Sequence, residues 1–160
     1  MAGFGIGALW ENVRVSRIHW GDRALEATGL PAETMPYSFA MEGHTGFRDY
    51  FEQTTLYLPY NRDAVLEVMG NLPLWRVASL TAEEFRAFQS AAMWEYAQSA
   101  QVADDTVFDA WYYNETVEPA GHEAVISTGA LAEIGRVGRG FIFAAYDADS
   151  GYFIYVHQFG

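Results

Sequence analysis

Cysteine and lysine are both missing from the 160 residues, and each absence removes whole classes of chemistry. Without cysteine there are no disulfides, no thiolate nucleophile and no Cys-ligated metal, and a secreted scaffold dependent on cross-links is excluded. A reducing setting, cytoplasmic or otherwise intracellular, is expected. Without lysine there is no Schiff-base chemistry and no amine general base. All nine basic residues are arginine, whose planar fork bonds carboxylates and does not titrate at working pH. Long apolar runs are missing too. Unbroken hydrophobic stretches last a few residues, against the roughly 20 needed to cross a bilayer. The first residues lack a charged region followed by a hydrophobic block, so neither a membrane span nor a secretory leader is expected.

Positive charge is scarce in one place above all. Between Arg86 and Arg136 the chain runs 49 residues without a basic residue, while Glu95, Asp104, Asp105, Asp109, Glu115, Glu118, Glu123 and Glu133 place eight carboxylates there. That window carries −8 of the formal −12; residues 1–86 contribute −4, and residues 136–160 balance Arg136 and Arg139 against Asp147 and Asp149. A one-sided field speaks about partners rather than fold. It repels nucleic acid and anionic lipid and attracts basic surfaces. Direct nucleic-acid binding, which draws on clustered arginine and lysine, is the function class the composition most nearly excludes.

With 51% hydrophobic and 16% aromatic residues, the chain suits one domain that buries on the order of 70% of the surface its unfolded form exposes. Asn12–Trp20 alternates like a strand ended by Gly21 and Asp22, and residues 21–53, with Pro31, Pro36, Gly29, Gly43 and Gly46, read as an ordered irregular segment holding a helical turn at Arg23–Thr28. Thr54–Tyr60 is β-rich. Asn61 then caps a helix whose Val65, Val68, Met69 and Leu72 recur at helical spacing. Leu74–Leu80 reads as a strand leading into Thr81-Ala-Glu-Glu84, a capping box that opens a helix over 82–100. After Asp104-Asp105 the period becomes two. Thr106–Tyr113, Glu123–Thr128, Phe141–Tyr146 and Tyr152–Phe159 read as strands, Gly129–Val137 as a helical turn, and the last two strands as a hairpin around Asp147-Ala-Asp-Ser-Gly151. The expected fold is a single α+β domain over 1–160: an antiparallel sheet of the C-terminal strands 106–159 packed by two helices, 61–70 and 82–100.

Chemistry-bearing motifs are weak. Gly135-Arg-Val-Gly-Arg-Gly140 offers two guanidinium forks, Arg136 and Arg139, among accessible amides, as anion-binding nests do. A plain connection with arginines paired to nearby acids needs no ligand. Asp147-Ala-Asp149 starts like a calcium loop, but its sixth position is Tyr152 and its twelfth Gln158, so a turn is the better reading. His19, His44, His122 and His157 are scattered singly, with no metal-ligand spacing, and no metal or cofactor is expected. An enzyme would draw on residues that converge only in space, with Tyr112, Tyr113, Glu115 and Arg136 the first candidates for a cleft, and a convergence of His44, Glu115 and Arg136 in one pocket would favour it.

On the helix opened by Thr81, Phe85, Phe88, Ala92 and Tyr96 share a stripe, and Trp94 falls opposite it. The functional expectation is a non-catalytic acidic interaction protein that binds a basic protein surface through Trp94, Glu95, Asp104, Asp105, Asp109, Trp111, Glu115, Glu118 and Glu123. It would be an inhibitor that blocks a cationic groove, in anti-defence or toxin neutralisation, with nucleic-acid mimicry one route. Two alternatives stay open. One is a structural subunit such as a virion component, in which the aromatic faces of Tyr152–Phe159 are buried between copies or its edge adds to a partner sheet; the other is a small enzyme with an anion site at 135–140.

Overall fold

The structure, a computed structural model, describes residues 20–45, 51–59, 61–91, 102–116, 124–125, 130–134, 136–137 and 140–159. It is an α+β domain built on one antiparallel sheet. Helix α1 covers 20–27; it stops because Gly29 takes φ +81°, letting the Leu30 and Gly29 amides donate to the Leu25 and Glu26 carbonyls at 2.9 and 3.0 Å. This pair of bonds, with Leu25 and Leu30 both in the core, is a Schellman ending.

Strands β1 (Ser38–Thr45) and β2 (Phe51–Tyr57) form a hairpin, and α2 (Arg62–Gly70) follows. The Asn61 side chain caps α2 by accepting from the Asp63 amide at 3.0 Å. Short strands β3 (Trp75–Arg76) and β4 (Leu80–Thr81) lead into α3 (Ala82–Ala91), then β5 (Val107–Phe108) and β6 (Ala110–Glu115). The remaining strands are β7 (Ala124–Val125), β8 (Arg136–Val137), β9 (Phe141–Tyr146) and β10 (Tyr152–Gln158). The main sheet has the order β1-β2-β10-β9-β6-β3; β4 pairs with β5 and β7 with β8 in two small ribbons.

Side chains of alternate residues face opposite sides of a sheet, and here both sides are filled from within the chain. On one side Leu56, Phe153, Tyr155, Ala144 and Tyr112 pack with Leu25 of α1 and Val65 and Met69 of α2. The Trp75 indole donates to the Thr28 carbonyl at 2.8 Å and ties this layer to the end of α1. On the other side Ile154, Val156, Phe143 and Trp111 pack with Phe85 and Phe88 of α3 and with Leu80, Phe108 and Leu131. Phe88 stacks on Phe143 at 4.4 Å between ring centres. The capping box forms as its spacing predicts: Glu84 N donates to Thr81 Oγ1, and Thr81 N to Glu84 Oε1, both at 3.2 Å.

Several expectations need correction. Residues 21–53 are not irregular throughout: among those described, α1 stands where a helical turn was expected and β1 where no strand was; β1 is an edge strand with a bulge between Phe39 and Met41, a position that tolerates Gly43. Trp20 is helical rather than the end of a strand. Strand β2 starts three residues before Thr54. Leu74–Leu80 holds two separate two-residue strands, and Leu74 takes φ +69°, which no strand continues through. Thr106–Tyr113 is broken at Asp109, whose carboxylate accepts from the Ala148 amide at 2.8 Å. Strand β10 is no edge: it lies between β2 and β9.

Candidate functional site

Three of the five described carboxylates of the 87–135 window are paired with arginines. Asp104 meets Arg86 at 2.7 Å, Asp109 meets Arg62 at 3.6 Å, and Glu133 meets Arg76 at 3.4 Å. Each arginine precedes the window in sequence and reaches it through the fold. Asp105 and Glu115 are exposed, and Glu115 accepts from the Tyr113 hydroxyl at 3.2 Å. Trp94, Glu95, Glu118, Glu123 and Arg139 lie outside the described residues, and of Arg136 only the backbone, paired with Val125, is described. Trp111 is not an exposed aromatic anchor. It is 3% accessible and belongs to the α3-side core.

Three of the expected residues nevertheless meet in one place. Trp111, Tyr113 and Glu115 alternate along β6, so they share the sheet face, and together they line a cavity of about 200 Å³. Arg76, Glu133 and Ile134 line it as well, with Leu74 beside them. Strand β3 pairs with β6 only at Tyr112 and Trp111, and the opening lies where that pairing stops. Tyr113 stacks against Phe141 at 5.9 Å, which fixes its ring in the wall. Among the described residues the lining carries Glu115, Glu133 and a single cation, Arg76.

The cleft imagined for an enzyme does not assemble. Tyr112 packs against Trp75 in the α1 layer while Tyr113 contacts Phe88 in the α3 layer, as neighbours on a strand must. His44 and Glu115 are on β1 and β6, four strand spacings apart, or roughly 19 Å.

A second polar constellation carries a buried charge that sequence reasoning passed over. The register places His44, Glu52, His157, Ile142 and Asn114 in one row across β1, β2, β10, β9 and β6. Glu52 is fully buried; Arg23 Nε lies 3.2 Å from its Oε1, the Tyr155 hydroxyl donates to the same oxygen at 3.3 Å, and His157 Nδ1 is 3.9 Å away. Arg23 also stands 5.3 Å from the Trp20 ring centre. Burial pushes the Tyr155 hydroxyl up, and the Glu52 charge adds to it. Burial, and then the Arg23 charge, push His157 down to about 4; Glu52 pulls the other way but is already matched by Arg23. The outcome is a neutral imidazole beside a paired carboxylate. Arg23 also lines a cavity of about 530 Å³ with Asp22, Glu26 and Ala27. Nothing in the sequence marked this cluster: Glu52 fell within residues 21–53, read as irregular, ahead of the β-rich run at Thr54–Tyr60.

No protein family, no curated protein and no solved structure matches the chain.

Proposed function

We propose that the protein is a non-catalytic acidic interaction protein that binds a basic protein surface and acts as an inhibitor of a cationic partner. One observation carries this reading. All four arginine side chains among the described residues, Arg23, Arg62, Arg76 and Arg86, are held in ion pairs with carboxylates of the same chain. Exposed Glu26, Glu33, Asp63, Glu67, Glu83, Asp105 and Glu115 have no arginine within ion-pair distance among the described residues. The charge offered to a partner is therefore negative. Such a field raises encounter rates with a basic protein and weakens steeply with salt. The aromatic sheet faces are closed by the chain's own helices, so they lend no support to an assembly of copies through the sheet.

The test is a pull-down from the native host with untagged protein at about 50 and about 500 mM salt, where the screening length falls severalfold. Capture of one basic protein at the lower salt, released at the higher and lost when Glu26, Glu33, Glu83, Asp105 and Glu115 are changed to their amides, supports the proposal. Recovery only of the chain itself, or capture indifferent to salt and to those substitutions, overturns it.

A further inference from the structure

The geometry points to the cavity on β6 as the place where a basic side chain of a polypeptide partner docks, with the partner's adjacent backbone carbonyl accepting from Trp111. The inference rests on the electrostatic reading above and gives it an address. Trp111 is 3% accessible and lines the cavity, and its indole Nε1–H is buried with no hydrogen-bond partner. A buried donor is almost always satisfied, so an orphan on a residue that lines a cavity asks for an acceptor from outside. The volume, about 200 Å³, falls below the roughly 300–1,000 Å³ of small-molecule sites and suits one side chain.

Charge selects which side chain. Among the described residues, Glu115 and Glu133 line the cavity with Arg76 as the one cation, and Arg76 and Glu133 are about half exposed, at 49% and 53%. Exposed pairs of this kind are held weakly. An incoming guanidinium exchanges for Arg76 at Glu133 at little cost and reaches Glu115, while Tyr113 and Leu74 flank its aliphatic stem. An anion meets two carboxylates; an apolar group leaves the Trp111 donor unsatisfied. A basic residue within a peptide answers both features.

The experiment titrates acetyl-Gly-Arg-Gly-amide into ¹⁵N-labelled full-length protein at low salt and follows the assigned Trp111 indole resonance. A saturable downfield shift is expected, absent with acetyl-Gly-Gly-Gly-amide and about tenfold weaker in affinity in the E115Q/E133Q double variant, as loss of charge-assisted bonds requires. The charge-matched D63N/E67Q variant on α2 serves as the control and should bind as the parent does. A shift with triglycine as large as with the arginine peptide, no shift of Trp111 at saturating peptide, or equal weakening in D63N/E67Q each overturns the groove. None of these touches the salt-sensitive capture of a basic host protein, so the groove and the broader reading fail separately.

Discussion

Arg23→Met is the sharpest perturbation the structure offers, because it removes an arginine paired with the fully buried Glu52. Removing one partner of a buried pair costs about 3–5 kcal/mol. Arg23 is 38% exposed, so solvent screens part of the interaction, and the expected loss is about 2–3 kcal/mol. For a domain of this size that lowers the melting temperature by roughly 5–10 °C. Glu52→Gln removes the charge and leaves a half-hydrated guanidinium, at about 1 kcal/mol. The double variant should lose less than the two singles together, with a coupling of at least about 1 kcal/mol. Urea unfolding with an unchanged m-value reads all four corners of the cycle. A loss below about 1 kcal/mol for Arg23→Met, or simple additivity, would show that the pair does not hold α1 to β2.

His157 supplies a pH test. Its folded value of about 4 lies below the ordinary 6.5, so the unfolded chain takes the proton first; stability is full above pH 6.5 and falls by up to about 3 kcal/mol as pH drops to 4. His157→Gln should flatten that part of the urea-midpoint profile, and an NMR titration of the His157 ring near 6.5 would refute the burial argument. Gly29 and Gly151 make a contrast, since both have φ near +80°, but a Cβ on Gly29 meets only Leu72 methyls at 3.9 Å whereas one on Gly151 meets the Leu58 carbonyl oxygen at 2.7 Å. Gly29→Ala should cost about 1 kcal/mol and Gly151→Ala at least about twice that; equal losses in thermal melts would contradict the packing. Thr81→Ala removes the N-cap of α3 and should cost about 1 kcal/mol by urea unfolding, with no loss if the capping box does not hold the helix start.

Legibility in the sequence followed the range of the interactions. The caps at Asn61 and Thr81 are local, involving partners two and three residues away, and both were visible as spacing. The β9–β10 hairpin was visible for the same reason: its turn is closed by Asp147, which accepts from Asp149 N and Ser150 Oγ at 3.0 and 2.8 Å. Strand β1 was hidden because Gly43 within it, Gly46 after it and Pro36 before it speak for loops, and only pairing with β2 makes it a strand. The Glu52 cluster was hidden for a deeper reason. Arg23, Glu52 and Tyr155 come from three elements up to 132 positions apart, and nothing short of the strand register brings them together. In the cavity on β6, the alternation of Trp111, Tyr113 and Glu115 was readable, whereas the partners Arg76 and Glu133 were not.

Charge shows the same divide, and it changes where a partner should be sought. Counted along the chain, the excess belongs to residues 87–135. In the fold, Arg62, Arg76 and Arg86 reach into that window and match Asp109, Glu133 and Asp104, while Glu26, Glu33, Asp63, Glu67 and Glu83 upstream have no such match among the described residues. Arg62 does this most fully, reaching Asp109 through one nitrogen and Asp149 through another, at 3.6 and 2.7 Å. The guanidinium fork reaches the two carboxylates from separate nitrogens, whereas an ammonium would have to serve both from one. The described arginines thus act as staples between elements, and among the described residues the side chains left without an opposite charge are carboxylates. A basic partner drawn to this molecule would then be steered by α1, α2 and α3 as much as by the window itself, and the E115Q/E133Q comparison with D63N/E67Q separates steering from docking.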